Sequence, residues 1–362
     1  MTARTDRADQ MGSVDPVGSE SATGATGGVL GGLAPRSSDR SEQATRIAFG
    51  EALVELGRLD RRVVVLDGDL ANSTKVDGFA DAFPERFFEM GIAEQNMIGV
   101  AAGLASAGLV PFATTFAAFA AFRDLDQVRL VVAQTKLHVV IVGSYAGLLA
   151  GRPGKSHVCL EDLALMRALP NMTVIAPGDA VEARQAVFRA AEHGGPVYLR
   201  LARDAGPVLF GDGYRFRSGD PVLLRDGGDV ALLTTGLQTP RTLAAAELLA
   251  ADGIDALVLH LPTVKPLNEA AVVEAARRTG AVVTAEDHSI MGGFGSAIAE
   301  ILGERLPTRM RRVGTRDVFA ESGPNDALLE KYALTARHVA DAARAVLRDR
   351  AGGGAGQHEE TA

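Results

Sequence analysis

The sequence has a single cysteine, Cys159, among 362 residues, which excludes a fold stabilised by disulfides. No second motif of a cysteine enzyme accompanies it, so we predict a small buried hydrophobe and not a nucleophile. The chain also lacks an apolar run of membrane-spanning length and, near its amino terminus, the hydrophobic core of a signal peptide. Basic residues are not clustered and the net charge is −8, so nothing indicates a nucleic-acid-binding surface. We therefore expect a cytoplasmic protein.

The sequence does contain enough apolar material for two α/β domains. Hydrophobic residues make up 47% of the chain, and alternating strand and helix patterns fill residues 41–210 and restart over residues 221–348. The strand patterns are continuously apolar, as in Arg61–Asp69, which is typical of parallel strands buried on both faces. We predict an α/β fold with mainly parallel sheets in both domains. Residues 1–40 and 351–362 are rich in small and polar residues, so we predict a disordered arm and a disordered tail.

The most informative segment is Phe87–Met97, FFEMGIAEQNM. It places one carboxylate, Glu94, at the start of a predicted helix whose continuation, Met97–Leu109, is almost entirely small and apolar. A carboxyl group in such a dry place can hold or share a proton near neutral pH. The alternative is an acidic residue in the first turn of a helix, where the macrodipole favours it. The pattern alone leaves both interpretations open.

Predicted strands flank this helix in sequence, one before it and one, Val110–Thr115, after it. Functional groups of open α/β sheets gather where parallel strands end. We therefore expect the residues at and just after these strand ends to share one rim with Glu94. They are Asp69, Asn72, Ser73, Thr114 and Phe116.

Six motifs in a fixed order carry a resemblance to a known family. They are ATR (Ala44–Arg46), DGDLANS (Asp67–Ser73), GIAEQNM (Gly91–Met97), TTFAAFAAF (Thr114–Phe122), GKSH (Gly154–His157) and LPNMTVIAPGD (Leu169–Asp179). From about Ser41 to about Leu347 the chain resembles the carboxyl-terminal half of a transketolase, a thiamine diphosphate enzyme. The resemblance assigns residues 41–210 to the pyrimidine-binding domain and residues 221–348 to the transketolase C-terminal domain.

The resemblance implies catalytic roles for two residues. In the family, a glutamate bonds N1′ of the cofactor aminopyrimidine and favours the imino tautomer that takes the proton from the thiazolium C2; Glu94 matches this residue. The cofactor acts as an electron sink while a two-carbon ketol unit passes from a ketose phosphate to an acceptor, and the protein supplies positioning and electrostatics. His157 matches a family histidine close to the reacting sugar oxygens and is a natural proton carrier at neutral pH.

Other positions match residues that contact the cofactor in the family. Phe116, Phe119 and Phe122 recur at a helical spacing that is usual for core packing. They fall, however, where transketolases hold the cofactor pyrimidine in an aromatic slot. By the same match, Asp69 faces the cofactor. The resemblance thus implies a cofactor site of Glu94, these three phenylalanines and Asp69.

Three residues match the family's contacts to the terminal phosphate of the sugar. They are Arg46, Ser73 and Arg203, and an arginine fork suits phosphate because it donates two parallel hydrogen bonds. Without the family pattern, either arginine is read as a solvated surface charge. Arg200 is close enough in sequence to be an alternative to Arg203.

The chain departs from the family pattern in one segment, Gly143–His157. Split transketolases usually carry a histidine at the position of Tyr145 and an acidic residue at the position of Pro153, and Arg152 lies beside the latter. Both family residues contact sugar hydroxyls. The departures put ordinary pentose-phosphate substrates in doubt and make a specialised ketol transfer credible.

The diphosphate-binding half of the family is absent. That half carries Gly-Asp-Gly followed by Asn-Asn and holds a magnesium ion; Gly211–Gly213 imitates the first part, but no Asn-Asn follows, so we predict no metal site in this chain. The resemblance therefore implies a separate partner subunit that holds Mg²⁺, a shared thiamine diphosphate and an α2β2 assembly. In the second domain, Glu286, Asp287 and His288 cluster at a predicted strand end, and we considered them candidates for regulatory or subunit contacts.

Two alternatives to a catalytic transketolase subunit stay open. One is a non-catalytic assembly or regulatory subunit that kept the fold, which Tyr145 and Pro153 favour and an intact Glu94 opposes. The other is the β-type subunit of a 2-oxo acid dehydrogenase E1 component, against which the matched phosphate-binding residues argue.

Overall fold

The computed structural model describes residues 41–352. The predicted arm, residues 1–40, and the predicted tail after Gly352 lie outside the described residues. The strands are β1 (Glu42–Gln43), β2 (Val63–Asp67), β3 (Phe87–Glu89), β4 (Val110–Phe116), β5 (Val140–Ser144), β6 (Thr173–Ile175), β7 (Val197–Arg200), β8 (Gly206–Pro207), β9 (Val222–Arg225), β10 (Val230–Thr234), β11 (Ala256–His260), β12 (Thr263–Lys265), β13 (Ala281–Ser289) and β14 (Arg309–Thr315). The α-helices are α1 (Thr45–Leu59), α2 (Ala71–Thr74), α3 (Asp77–Ala82), α4 (Glu94–Ser106), α5 (Ala117–Phe122), α6 (Leu125–Gln127), α7 (Asp162–Ala168), α8 (Ala180–Glu192), α9 (Thr239–Ala251), α10 (Glu269–Thr279), α11 (Phe294–Arg305), α12 (Asn325–Lys331) and α13 (Ala336–Gly352).

The first sheet has seven strands in the order β12-β6-β7-β5-β4-β2-β3. All neighbouring strands are parallel except β12 and β6. Every residue of β2, β4, β5 and β7 is buried, which is why their sequences are almost continuously apolar. Because these strands are parallel, their carboxyl ends meet at one edge of the sheet, here called the rim.

The second sheet has five strands in the order β14-β13-β10-β11-β9, and only β9 is antiparallel to its neighbour. Its helices include α9, which packs on β11, and α13, which packs on β13 and β14. Together the two sheets confirm the predicted α/β fold with mainly parallel strands.

One strand crosses between the two domains. β12 follows β11 of the second sheet directly, yet it pairs with β6 at the edge of the first, with Thr263 opposite Ile175. Its central residue, Val264, and Leu261 just before it are both buried. The second domain is therefore joined to the first through a shared sheet edge and a continuous apolar interior.

The strand that carries Glu286, Asp287 and His288 does not end before them, as predicted, but includes all three. β13 runs from Ala281 to Ser289, and all three polar side chains are buried within this chain. Our suggestion that they make subunit contacts is therefore wrong, because no surface of theirs is available. Asp287 and His288 instead accept hydrogen bonds from the first domain, from the N–H groups of Leu148 and Ala164, whereas Glu286 accepts from the start of α11 in its own domain.

Two further findings concern the described residues only. None of the helices between residues 41 and 352 is long and apolar enough to cross a membrane. Within the same range, no group of three or more His, Cys, Asp or Glu side chains has an arrangement suited to a metal ion. Cys159 is free and buried, and burial raises the pKa of its thiol well above the usual range.

Candidate active site

Glu94 is the first residue of α4 and is only 3% exposed. It is thus both a first-turn acid and a carboxylate in a dry place, so the two interpretations of the sequence hold together. The backbone turn before it is fixed by Glu89, whose Oε1 accepts hydrogen bonds from the N–H groups of Asp69 (3.0 Å) and Gly91 (2.8 Å). This contact ties the end of β2 to the start of α4.

Arg123 is a partner of Glu94 that the sequence analysis missed. Its Nη1 donates to Glu94 Oε1 at 2.8 Å, and its guanidinium carbon lies 3.7 Å from the centre of the Phe119 ring. The arginine is 44% exposed, whereas the glutamate side chain is 4% exposed. The signal that could have found it is its position, since Arg123 is the first charge after the apolar segment Thr114–Phe122.

Asp124, the next residue, is an unusual buried acid. Both of its carboxyl oxygens are buried without a hydrogen-bond partner among the described residues. Burial, and then the nearby Glu94 carboxylate, raise the pKa of Asp124 well above its usual range. A buried carboxyl group whose charged form is disfavoured therefore lies close to the ion pair of Glu94 and Arg123.

Phe116, Phe119 and His157 form one aromatic cluster at the rim. The ring centres of Phe116 and Phe119 are 5.6 Å apart, and His157 approaches them edge-on at 5.7 and 5.5 Å. The imidazole Nδ1 lies 2.8 Å from Ser156 Oγ. Phe122 lies outside this cluster and is 55% exposed. Phe116 ends β4 while the other two phenylalanines belong to α5, so the three do not share one helical face as their spacing suggested.

The turn after β2 separates two acidic residues with different surroundings. The strand stops at Asp67, and Asp69 is an exposed turn residue with a φ of 63°. The buried carboxylate of this turn is Asp67, which accepts hydrogen bonds from the Leu70 N–H (2.5 Å) and the hydroxyls of Thr114 (3.0 Å) and Thr74 (3.2 Å). Asp67 was the only charge of the apolar run VVVLD, and that was its signal in the sequence.

Burial raises the pKa of Asp67 to about 6. This folded-state value lies above the unfolded value of about 3.9, so the folded state binds the proton more tightly than the unfolded state. Protonation of Asp67 therefore stabilises the folded protein. The stability of the wild type relative to Asp67→Asn should therefore be greatest below about pH 4, fall by about 3 kcal/mol as the pH rises to about 6, and stay constant above. Urea unfolding of both proteins from pH 4 to 8 measures this, with the exposed Asp212→Asn as control. A difference that rises with pH would contradict the assignment.

The three predicted phosphate ligands surround Tyr145. Arg46 donates from Nε to the Arg203 carbonyl and from Nη1 to the Ser73 carbonyl, both at 2.6 Å. The two guanidinium carbons lie 5.4 and 5.5 Å from the centre of the Tyr145 ring, which stacks on Phe116 with centres 4.0 Å apart. We call Arg46, Ser73, Tyr145 and Arg203 the anion grip.

Tyr145 is itself held by this arrangement. It is 6% exposed and has a φ of 62°, a backbone conformation that side chains with a Cβ rarely adopt. Burial raises the pKa of its phenol, but the neighbouring Ser73, Arg203 and Arg46 outweigh burial and lower it. The anion grip therefore contains a phenolic hydroxyl in addition to two guanidinium groups, and these arginines polarise the hydroxyl.

The structure separates Arg200 from Arg203. Arg200 ends β7, is buried, and donates from Nε to Asp162 Oδ2 at 2.8 Å. Its Nη2 bonds the carbonyl of Asp287 at 2.9 Å. A guanidinium bound in this way has no access to the rim, so Arg203 is the arginine of this segment that lies in the grip.

Two family models match the two domains of this chain. Residues 41–208 match the model of the transketolase pyrimidine binding domain, and residues 219–339 match that of the transketolase C-terminal domain. The chain is 46% identical over 305 residues to a 6-deoxy-6-sulfo-D-fructose transketolase subunit from Clostridium sp. (strain MSTE9), which covers 84% of this chain and 95% of the relative. This chain belongs to the transketolase family.

Other relatives of this transketolase-family chain are similar in extent. A putative transketolase C-terminal section from Methanocaldococcus jannaschii is 43% identical over 298 residues, which are 82% of this chain and 93% of that one. A solved structure described as a split gene transketolase, inactive beta4 tetramer, is 51% identical with a TM-score of 0.79 and covers 84% of this chain and 98% of its own. The chain therefore corresponds to the carboxyl-terminal section of a split transketolase.

A more distant structure shares the fold alone. The transketolase from Leishmania mexicana is 22% identical, has a TM-score of 0.72, and is covered over 47% of its length. The likeness extends over 86% of this chain. Both domains of this chain are thus laid out as in half of a longer transketolase.

Proposed function

We propose that this chain is the catalytic-half subunit of a two-component transketolase that uses thiamine diphosphate. It transfers a two-carbon ketol unit from a ketose phosphate to an acceptor. The observation that carries the proposal is the buried Glu94 carboxylate at the start of α4, with the rings of Phe116, Phe119 and His157 at the same rim.

The residues present fit the pyrimidine part of the cofactor. Arg123 occupies Oε1 of Glu94, and the described residues give Oε2 no donor, so this oxygen can accept a hydrogen bond from a protonated ring nitrogen. The Phe116 and Phe119 side chains supply the flat apolar surface that an aromatic heterocycle needs. When bound, thiamine diphosphate supplies the electron sink for cleavage next to a carbonyl group.

Each residue of the site then has a proposed role. Glu94 holds the pyrimidine ring in the required tautomer, and Phe116 and Phe119 orient it. His157 is the proton carrier near the sugar oxygens, because its ring is half-buried at the rim and close to both phenylalanines. Asp69 lies on the exposed side of the turn after β2, where it can face the cofactor. We do not assign Phe122 to the cofactor. Its side chain is 55% exposed, which fits a contact with another subunit better than a contact with the pyrimidine ring.

We propose further that a separate subunit completes the site. The relatives that match nearly their whole length are described as a transketolase subunit and as a C-terminal section, which supports a division of the enzyme between chains. The partner would hold the diphosphate and Mg²⁺, and the assembly would be α2β2. The test is turnover of ketose phosphates by this chain with its partner, thiamine diphosphate and magnesium. Product that needs both chains supports the proposal, and product from the partner alone would make this chain a non-catalytic assembly subunit.

The anion grip predicts a dependence on the donor phosphate. Arg203→Ala should raise the KM of a phosphorylated ketose about 10- to 100-fold, because it removes charge-assisted hydrogen bonds worth about 1.5–3 kcal/mol. The KM of the same ketose without its phosphate should not change. Steady-state kinetics of the two-chain enzyme measures both, with the exposed Arg189→Ala as control. Equal effects on both donors would show that Arg203 does not bind the phosphate.

A further inference from the structure

The second domain clamps the loop that follows Tyr145 at two points. The Leu148 N–H donates to both carboxylate oxygens of Asp287 at 2.9 and 3.1 Å. Three residues on, the Gly151 N–H donates to Asn325 Oδ1 at 3.3 Å, and the Gly151 carbonyl accepts from the Gly323 N–H at 3.2 Å. The loop that connects Tyr145 to His157 is therefore held by the second domain.

Asn325 is also linked to the anion grip, because it and Arg203 both donate hydrogen bonds to Asp204. Its Nδ2 donates to Asp204 Oδ2 at 2.7 Å, while Arg203 Nη1 donates to Asp204 Oδ1 at 2.7 Å. One carboxylate thus joins a residue of the second domain to an arginine of the first. The Asp204 N–H is fixed in turn by the Leu149 carbonyl at 3.2 Å.

These contacts set the direction of the Arg203 guanidinium. Arg203 Nη1 donates to Asp204, and Arg203 Nε is buried without a hydrogen-bond partner among the described residues. Nε itself is closed to solvent, so an oxyanion in the grip would meet the exposed edge of the same guanidinium, whose side chain is 26% exposed.

We propose that Asn325, a residue of the second domain, is a positioning residue for the anion grip, where it holds Asp204 so that the exposed edge of the Arg203 guanidinium faces a terminal phosphate. The inference rests on the proposed function only in taking that phosphate as part of the donor. The side chains of Arg203 and Asp204 are 26% and 30% exposed, and an isolated pair of this kind contributes little. Its geometry is fixed only because Asn325 fixes the carboxylate.

The amide at position 325 is suited to this role because it both donates and accepts. Its Nδ2 donates to Asp204 and its Oδ1 accepts from Gly151. Asn325→Asp keeps the acceptor for Gly151 but loses the donor and adds a negative charge beside Asp204. The variant therefore breaks the contact to the grip and leaves the loop clamp in place.

The test is calorimetric titration of the full chain with inorganic phosphate and with a ketopentose 5-phosphate, beside the unphosphorylated ketopentose. All groups of the grip and Asn325 belong to this chain, so the isolated chain should bind phosphate. Asn325→Asp should weaken binding of both phosphates about tenfold, the factor expected for one charge-assisted hydrogen bond. Binding of the unphosphorylated ketopentose should be the same in both proteins.

The control is Asn268→Ala, which removes an amide of the same domain that caps α10 by accepting from the Ala271 N–H at 2.9 Å. It should bind phosphate as the wild type does. Equal phosphate affinity of Asn325→Asp and wild type, equal weakening by Asn268→Ala, or a wild-type chain that binds no phosphate would each overturn the inference. Failure of turnover with the partner, together with the expected affinities, would overturn the proposed function alone.

Discussion

Glu94→Gln is expected to lower kcat of the two-chain enzyme by about 10²- to 10⁴-fold, the range for loss of a group that controls proton transfer. The amide has the same shape but is not an anion, so it cannot hold a protonated ring nitrogen as a carboxylate does. Arg123 loses its countercharge but keeps an oxygen acceptor, and this arginine is 44% exposed to water. Stability should therefore change little while turnover is lost.

Steady-state kinetics and thermal unfolding of the same preparations measure these two effects. Glu85→Gln, an exposed carboxyl of the same domain, is the matched control and should leave both unchanged. Binding of thiamine diphosphate to the assembled complex should be retained in Glu94→Gln, because in the proposed two-chain enzyme the partner subunit would hold the diphosphate. A variant that binds cofactor and turns over at the wild-type rate would remove Glu94 from the mechanism and make this chain structural.

Arg200→Met is expected to destabilise the protein by about 3–5 kcal/mol, because it leaves a buried carboxylate without its countercharge. Asp162, the first residue of α7, is fully buried and accepts from Arg200 Nε at 2.8 Å and from the Tyr198 hydroxyl at 2.8 Å. Arg200, together with His288, outweighs burial and lowers the pKa of Asp162. The carboxylate thus stays charged in the interior, and Arg200 is its main compensating charge.

Urea unfolding at neutral pH measures the loss. The control is Arg189→Met, which breaks an ion pair with Glu192 whose side chains are 54% and 64% exposed, and should cost less than about 1 kcal/mol. The double variant Arg200→Met with Asp162→Leu removes both charges and should recover most of the stability. A small effect of Arg200→Met alone would mean that water reaches Asp162.

The buried pair also explains how the two domains are joined near the rim. Arg200 Nη2 bonds the Asp287 carbonyl, and the Asp287 side chain bonds the Leu148 N–H. A second buried contact lies on the other side, where His260 Nε2 is 2.8 Å from Glu182 Oε2. These hydrogen bonds hold a strand end of the first sheet and the rim loop against the second domain.

The fold was largely predictable from the sequence because it depends on local pattern. Continuous apolar runs such as Val110–Thr115 become fully buried parallel strands, and α11 begins just after the tight turn at Gly292. The errors lie at element ends. β13 continues through Glu286 and His288, since Glu286 accepts from the first two N–H groups of α11 and so satisfies a charge that would otherwise end the strand.

The candidate site was predictable only in part. Glu94 carried its own signal, a lone charge at the start of an apolar helix, and its burial follows from that. Arg123 was marked only by its position after an apolar segment. Asp204 and Asn325 carried no signal, because their contact joins residues that are distant in sequence. Asn325 is 121 residues from Asp204, and no local pattern links them.

The sequence by itself determined the element order, the apolar interior of both sheets and the identity of the acid at the head of α4. These follow from hydrophobic periodicity and from the residue types available at each position. Tertiary structure decided which charges are paired, that Tyr145 lies between two arginines, and that the second domain reaches the rim. Such contacts depend on how strands from separate parts of the chain are placed side by side. Hydrogen bonds and ion pairs require distances of about 3 Å, and only the packed fold sets those distances.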